Sequence, residues 1–235
     1  VVNQLLTMRR ADVIPYKWVA DFTRWQRKPT TYDSLENMLD VTRTAYRRAL
    51  WNDQDAYLEI WVKKDALAGV LVDITEQWDV PLMVARGFSS ETFAESAADN
   101  IREKVKHGKR VYIYHFGDSD PSGEAARDDI AAKLAMYEER FTFEPVAVQE
   151  WQIKEWNLPT RKTKGTDSRA KEWIAAGRDS CELDAIPANL LRDLCTQVIE
   201  RHVDERALAQ TIAIEKAERE TLDNIVKSLN GASPK

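Results

Sequence analysis

Between residues 56 and 148 the apolar positions of the chain switch repeatedly between two periods. Residues 56–62, AYLEIWV, are a near-continuous apolar run of strand length, rich in β-branched and aromatic side chains. From Ala66 to Trp78 the apolar residues return at helical spacing, and Leu67, Val70, Leu71, Ile74 and Trp78 define one inward face. Pro81 to Ala85 predicts a short buried strand. Gly87 and Ser89-Ser90 predict a turn and a cap, and Phe93, Ala97, Ile101 and Val105 mark a helix that Gly108 stops. VYIYHF at 111–116 predicts a third strand. Ala126, Ile130, Leu134 and Tyr137 then mark a helix, and FTFEPVAV at 141–148 predicts a fourth strand. Strands alternating with helices of about a dozen residues specify an α/β fold, a Rossmann-like, mostly parallel sheet flanked by helices, with its functional loops beyond the carboxyl ends of the strands.

The flanks follow other rules. Asn3 to Trp25 reads as the end of a helix, a turn at Asp12-Val-Ile-Pro15, and an aromatic stretch with Trp18, Phe22 and Trp25. Ser34 is placed to cap a helix whose apolar face is Leu35, Met38, Leu39, Thr42, Tyr46 and Ala49, ending at Trp51-Asn52. Residues 151–189 have little periodicity and contain four turn formers, Pro159, Gly165, Gly177 and Pro187. Helices are predicted from Leu190 to His202 and from Glu205 to about Leu229, the second carrying an apolar stripe at Leu208, Ile212, Ile225 and Leu229. Three regions result: 1–50, 51–203 and a helical extension at 204–235.

Composition narrows the class without naming it. With 43% hydrophobic and 31% charged residues, the 235-residue chain can bury a core, which excludes disorder as a description of the whole. No apolar run approaches the roughly 18 residues needed to span a bilayer, and VVNQLLTMRR lacks the layout of a secretory signal, so a cytoplasmic, non-membrane protein is expected. Cys181 and Cys195 alone make a disulfide framework or a cysteine zinc site a poor expectation. The chain opens on Val1, and further elements are expected to precede it. The net charge of -5 is uneven, since residues 1–50 carry nine Lys/Arg against five Asp/Glu and the remainder 25 against 34. A basic front end suits phosphates, and an acidic body suits cations, although scattered surface charge gives the same totals.

The sharpest local feature is Asp118-Ser119-Asp120 at the end of the third strand, followed by Pro121 and Gly123. Two carboxylates at i and i+2 can converge on one point, and oxygen ligands of that kind suit a hard cation, Mg²⁺ or Mn²⁺, that bridges to a phosphate. The plain alternative is a turn with helix-capping aspartates. His115 precedes this loop and is expected to pack as a strand residue rather than reach a phosphate, and His107 and His202 read as surface residues at helix ends. A basic stretch at Arg161, Lys162, Lys164, Arg169 and Lys171 could track a DNA backbone or be a solvated loop.

Four segments in chain order resemble a Toprim domain of the type found in the A subunit of type IIB topoisomerases. Trp61-Val62-Lys63-Lys64-Asp65-Ala66 is similar to the family's first-strand VEKDA motif, and Arg86-Gly87-Phe88-Ser89-Ser90 to its glycine-bearing turn. Asp118, Asp120, Pro121 and Gly123 match DxDPxG, and Glu182-Leu183-Asp184-Ala185-Ile186, with Pro187 and Leu190, matches a late ELDAL segment. The resemblance covers roughly residues 56–203, and Gln4 to Trp25 is similar to the tail of a winged-helix module, making 1–50 a DNA-binding remnant with a linker helix.

The resemblance implies Mg²⁺-dependent (or Mn²⁺-dependent) cleavage of phosphodiester bonds in DNA, by hydrolysis or transesterification. Asp118 and Asp120 would be the metal ligands, and Lys63 stands at the catalytic position where the family has a glutamate. Glu59 lies four residues back, about 13 Å at ~3.3 Å per residue, too far to replace it, and Asp65 enters the next helix. The chain is thus expected to be a metal-dependent DNA endonuclease or topoisomerase-like subunit weakened by Lys63, or a non-catalytic DNA-binding or assembly subunit that keeps the fold. RNA cleavage, as in maturase-type relatives, is a further reading. Tyr16, Tyr32 and Tyr46 match no nucleophile motif, and metal-activated water is the simpler chemistry. Arg24, Arg27, Lys28, Arg161, Lys162, Lys164 and Arg169 are the candidate DNA contacts, a homodimer is expected, and with no GxxxxGK[ST] loop in the chain an ATPase subunit would have to supply any ATP requirement.

Overall fold

The computed structural model describes residues 2–14, 29–85, 87, 90–163 and 169–232. The chain forms two compact units, Tyr46–Thr221 and a smaller one made of Val1–Ala45 with Leu222–Lys235. The smaller unit contains α1 (Val2–Arg10) and α2 (Leu35–Ala45). Ser34 caps α2 as expected, its hydroxyl accepting from the Asn37 N–H at 3.1 Å, but none of the α2 side chains is buried, and Leu35 and Val41 face solvent.

The larger unit is α/β. Its elements are β1 (Ala56–Val62), α3 (Asp65–Gln77), β2 (Leu82–Val84), α4 (Glu91–Lys106), β3 (Arg110–Phe116), α5 (Pro121–Tyr137), β4 (Phe141–Ala147), α6 (Glu150–Glu155), α7 (Ala170–Ala175), a 3₁₀ turn (Leu183–Ala185) and α8 (Ala188–Glu200), and α9 (Glu205–Ala232) follows. The four strands form one all-parallel sheet in the order β2-β1-β3-β4. Both faces are covered, which explains why β1 reads as a continuous apolar run rather than an alternating one. Leu58, Ile60, Val62, Tyr114 and Phe116 point into a core shared with α3 and α8, and Trp61, Val111 and Ile113 point into another with α4 and α5. Ile60, Trp61 and Val62 have no exposed surface at all.

This strand order places a switch point between the two central strands. From β1 the chain moves outward to β2, then returns across β1 to form β3 on the other side, so the loops after β1 and β3 open in opposite directions and leave a crevice at their carboxyl ends. Val62 pairs with Phe116 in register, and the Lys63 N–H donates to the Phe116 carbonyl at 2.9 Å. The next residues of both strands are therefore neighbours.

Two expectations change. The helix after Ser34 ends at Ala45, and beyond it the Arg48 N–H, which would continue the helix, donates instead to Glu215 on α9 at 2.9 Å; the Tyr46 hydroxyl donates to Glu218 at 2.6 Å, and Tyr46 is half-buried rather than in the core. On α9, Leu208 of the expected apolar stripe is half-buried. Ile212 and Ile225 are exposed, whereas Thr211 is buried and donates to Asp53 at 3.2 Å. His202 is half-buried rather than fully at the surface, its Nε2 lying 2.6 Å from the Tyr114 hydroxyl and its ring 4.0 Å from that of Tyr112.

Glu59, the acidic residue within β1, serves the core. It is buried and accepts from the Tyr57 hydroxyl at 2.9 Å and from the Trp61 indole N–H at 2.7 Å. Replacing it by Ala strands both donors, and chemical denaturation of Glu59→Ala should show a loss of about 2–4 kcal/mol. Glu59→Gln, which keeps an acceptor oxygen, should lose about half as much.

Candidate metal centre

Asp118 is delivered by β3 through Gly117, and its side chain is only 3% exposed. The loop then turns tightly. Asp120 is the N-cap of α5, its carboxylate accepting from the Gly123 N–H at 2.6 Å, with Pro121 in the first turn. Gly123 has to be glycine, because a Cβ there would lie 2.7 Å from the Asp118 carbonyl oxygen. At Gly117 a Cβ would meet the His115 ring, a side chain that would have to shift rather than fixed backbone.

A second segment closes on this loop from far along the chain. Ser119 and Cys181 form an antiparallel bridge, with N–H···O distances of 2.8 and 2.9 Å, which brings Glu182, Leu183 and Asp184 to the same edge. One carboxylate oxygen each from Asp118, Asp120 and Glu182 then lies within 4.8 Å of the others. Three oxygen donors from three carboxylates fit a hard divalent cation. Glu182 and its neighbour Asp184 were not expected in the site. Their signal in the sequence was the ELDA segment itself, whose acidic residues converge with the DxD loop only through the Cys181 bridge.

Two lysines share this space. Lys63 Nζ donates to Asp118 Oδ2 at 2.7 Å, and Asp118 Oδ1 accepts from the Leu183 N–H at 2.8 Å. Lys64 is the N-cap residue of α3 but caps nothing with its side chain; its ammonium instead lies 2.7 Å from Glu182, 3.0 Å from Asp184 and 3.4 Å from Asp118. Burial works against the charge of Asp118, but the Lys63 bond, the Leu183 N–H and the two ammonium charges outweigh it and hold the carboxyl below its ordinary value. Burial likewise opposes the charge of Lys64, and the bonds to Glu182 and Asp184 raise its pKa nonetheless.

The expected basic residues divide. Arg161 joins the site through an ion pair with Glu182, and Lys162 is held away from it by Asp179 at 2.9 Å. Arg169 precedes α7 and is exposed. Arg24, Arg27, Lys28 and Lys164 lie outside the described residues, as do Arg86, Phe88 and Ser89 of the glycine-bearing turn. His115 packs as expected, buried against Phe143 with ring centroids 5.7 Å apart. No protein-family model matches the chain, and no curated protein matches it. Among the described residues no helix is long and apolar enough to cross a membrane.

His115 generates a pH prediction. Burial, then the charges of Arg127 and Lys63, push its pKa down to about 4. The unfolded chain takes up a proton near pH 6.5 and the folded chain does not, so stability should fall with pH between those values, by on the order of 3 kcal/mol. Urea unfolding across pH 6.5 to 4 should show this slope, and His115→Phe, which keeps a ring against Phe143, should flatten it.

Proposed function

We propose that this chain is a Toprim-type DNA-processing subunit that holds one Mg²⁺ or Mn²⁺ ion at Asp118, Asp120 and Glu182, with phosphodiester cleavage held back by Lys63. The observation that carries this reading is the convergence of three carboxylates, from two distant segments, at the switch point of a parallel sheet. Oxygen-only donors at that place suit a cation that meets phosphate rather than a structural metal bound by Cys or His. A bound divalent cation would supply charge neutralisation at a phosphoryl oxygen and a water more acidic than bulk water.

The residues present set the terms of that chemistry. Asp118 accepts from two donors, so a cation takes its place there only by displacing the Lys63 ammonium, whose attraction is of order 4 kcal/mol at about 4 Å and an effective dielectric near 20, before desolvation. Asp120 keeps one oxygen on the Gly123 N–H and offers the other. Lys63, once displaced, is free to contact a phosphate. The same ion pair favours a second reading, a non-catalytic DNA-binding or assembly subunit in which Lys63 permanently fills the cation position. In either case the chain would act on DNA in the cytoplasm, as a homodimer where both strands are engaged and with an ATPase subunit where ATP is required.

Supercoiled-plasmid nicking in Mg²⁺ and in Mn²⁺ separates the readings. Lys63→Glu should cut at least about tenfold faster than the chain as it stands, since ligand count and charge set the affinity for the cation, and adding Asp118→Ala should abolish cutting. Tighter Mn²⁺ binding by Lys63→Glu without any cutting would support the assembly reading. Cutting by the chain as it stands at the same measurable rate as its Lys63→Glu form would contradict the role given to this position.

A further inference from the structure

A cavity of about 300 Å³ opens beside Ser119, the residue between the two loop aspartates, with Glu150, Ile153, Lys154, Thr160 and Arg178 among its walls. Its charges are unequally committed. Arg178 is fixed: its guanidinium lies 3.5 Å from the centre of the Trp173 ring and pairs with Glu124 at 2.8 Å and Glu150 at 2.6 Å. Glu150 is neutralised by that contact, and Asp179, which also lines the cavity, by Lys162. Lys154 is exposed and has neither an ion pair nor a hydrogen bond from its ammonium among the described residues. Among the described residues the one uncommitted charge on these walls is therefore positive, and it stands next to a loop of opposite sign.

An aromatic ring accompanies it. Trp151 lies three residues before Lys154 on α6, so the two are neighbours on the helix surface. Its indole is 51% exposed and is held edge-on by Trp156, with ring centroids 5.4 Å apart. A large exposed ring that is braced from one side and flanked by an unpaired ammonium is the combination that stacks a base and takes its phosphate. A duplex offers phosphates but no free base faces, which selects an unpaired strand.

We infer that α6 and the cavity beside Ser119 form a subsite for single-stranded DNA, Trp151 stacking a base and Lys154 contacting the adjoining phosphate, so that an unpaired strand is led toward Asp118 and Asp120. This rests on the reading of the carboxylate cluster as a DNA site, but it concerns binding alone and needs no metal.

The test is the affinity of the full chain for a fluorescein-labelled oligothymidylate, followed by anisotropy in EDTA over a range of salt, with a duplex of equal length alongside. Lys154→Met should weaken single-strand binding roughly 3- to 10-fold and reduce the slope of log affinity against log salt by about 0.7. Trp151→Ala should weaken it at least about fivefold with the salt slope unchanged. Lys106→Met, at the far end of α4 from the strand-end loops, is the charge-matched control and should leave both unchanged. Circular dichroism of each variant establishes that the fold is kept. Single-strand affinity and salt slope equal to the unsubstituted chain in both variants would overturn the inference, as would duplex binding that is tighter than single-strand binding and equally weakened by Lys154→Met. If Lys63→Glu fails to cut while these variants lose single-strand binding, the cleavage reading fails and the subsite stands.

Discussion

A buried carboxylate at the mouth of two neighbouring parallel strands is the constraint on which the site depends. Asp118 is almost fully enclosed, and an ionised group there costs several kcal/mol unless its surroundings compensate. The compensation comes from two places. Lys63 and Lys64 follow β1, and the Leu183 N–H belongs to the 3₁₀ turn near the end of the domain. The charge of one side chain thus ties together the strand ends and a segment some sixty residues further on, and it works only while β1 and β3 remain paired in register.

Close backbone approach makes this arrangement stiff. Gly117 and Gly123 sit where any Cβ would meet His115 or the Asp118 carbonyl, and Asp120 is drawn back onto the start of α5 by its cap. The loop therefore has little freedom to move its carboxylates apart. Around it the charges are arranged in alternation: Lys64 lies among Asp118, Glu182 and Asp184, and Arg161 approaches Glu182 from the other side. Such a centre is close to neutral without any added ion, and an incoming cation has to compete with ammonium groups already in place.

Much of this was legible in the sequence, for identifiable reasons. Central strands buried on both faces leave long apolar runs, so β1 and β3 could be read directly, β4 at the edge showed in its aromatic and β-branched residues, and the helices between them carry single apolar faces with clear stops. The DxD loop announced its carboxylates because they are two residues apart. What the sequence hid was set by tertiary partners. The early end of α2 goes with carboxylates of α9, the partial burial of His202 with Tyr114, and the entry of Glu182 into the site with the bridge between Ser119 and Cys181. The short helices α6 and α7 are too brief to show a period, although α6 carries the exposed Trp151. Lys64 was hidden differently, since a lysine beginning a helix gives no sign of pointing at three carboxylates.

Under the proposed function the Lys63 ammonium sits on Asp118 where a divalent cation would bind. Calorimetric titration of Mn²⁺ into the chain and into Lys63→Met tests it most directly, because methionine removes the competing charge while adding no ligand. Lys63→Met should bind Mn²⁺ about tenfold more tightly or better, as expected when a competing cation is removed from a carboxylate. Unchanged or weaker binding by Lys63→Met, with the fold intact, would contradict it.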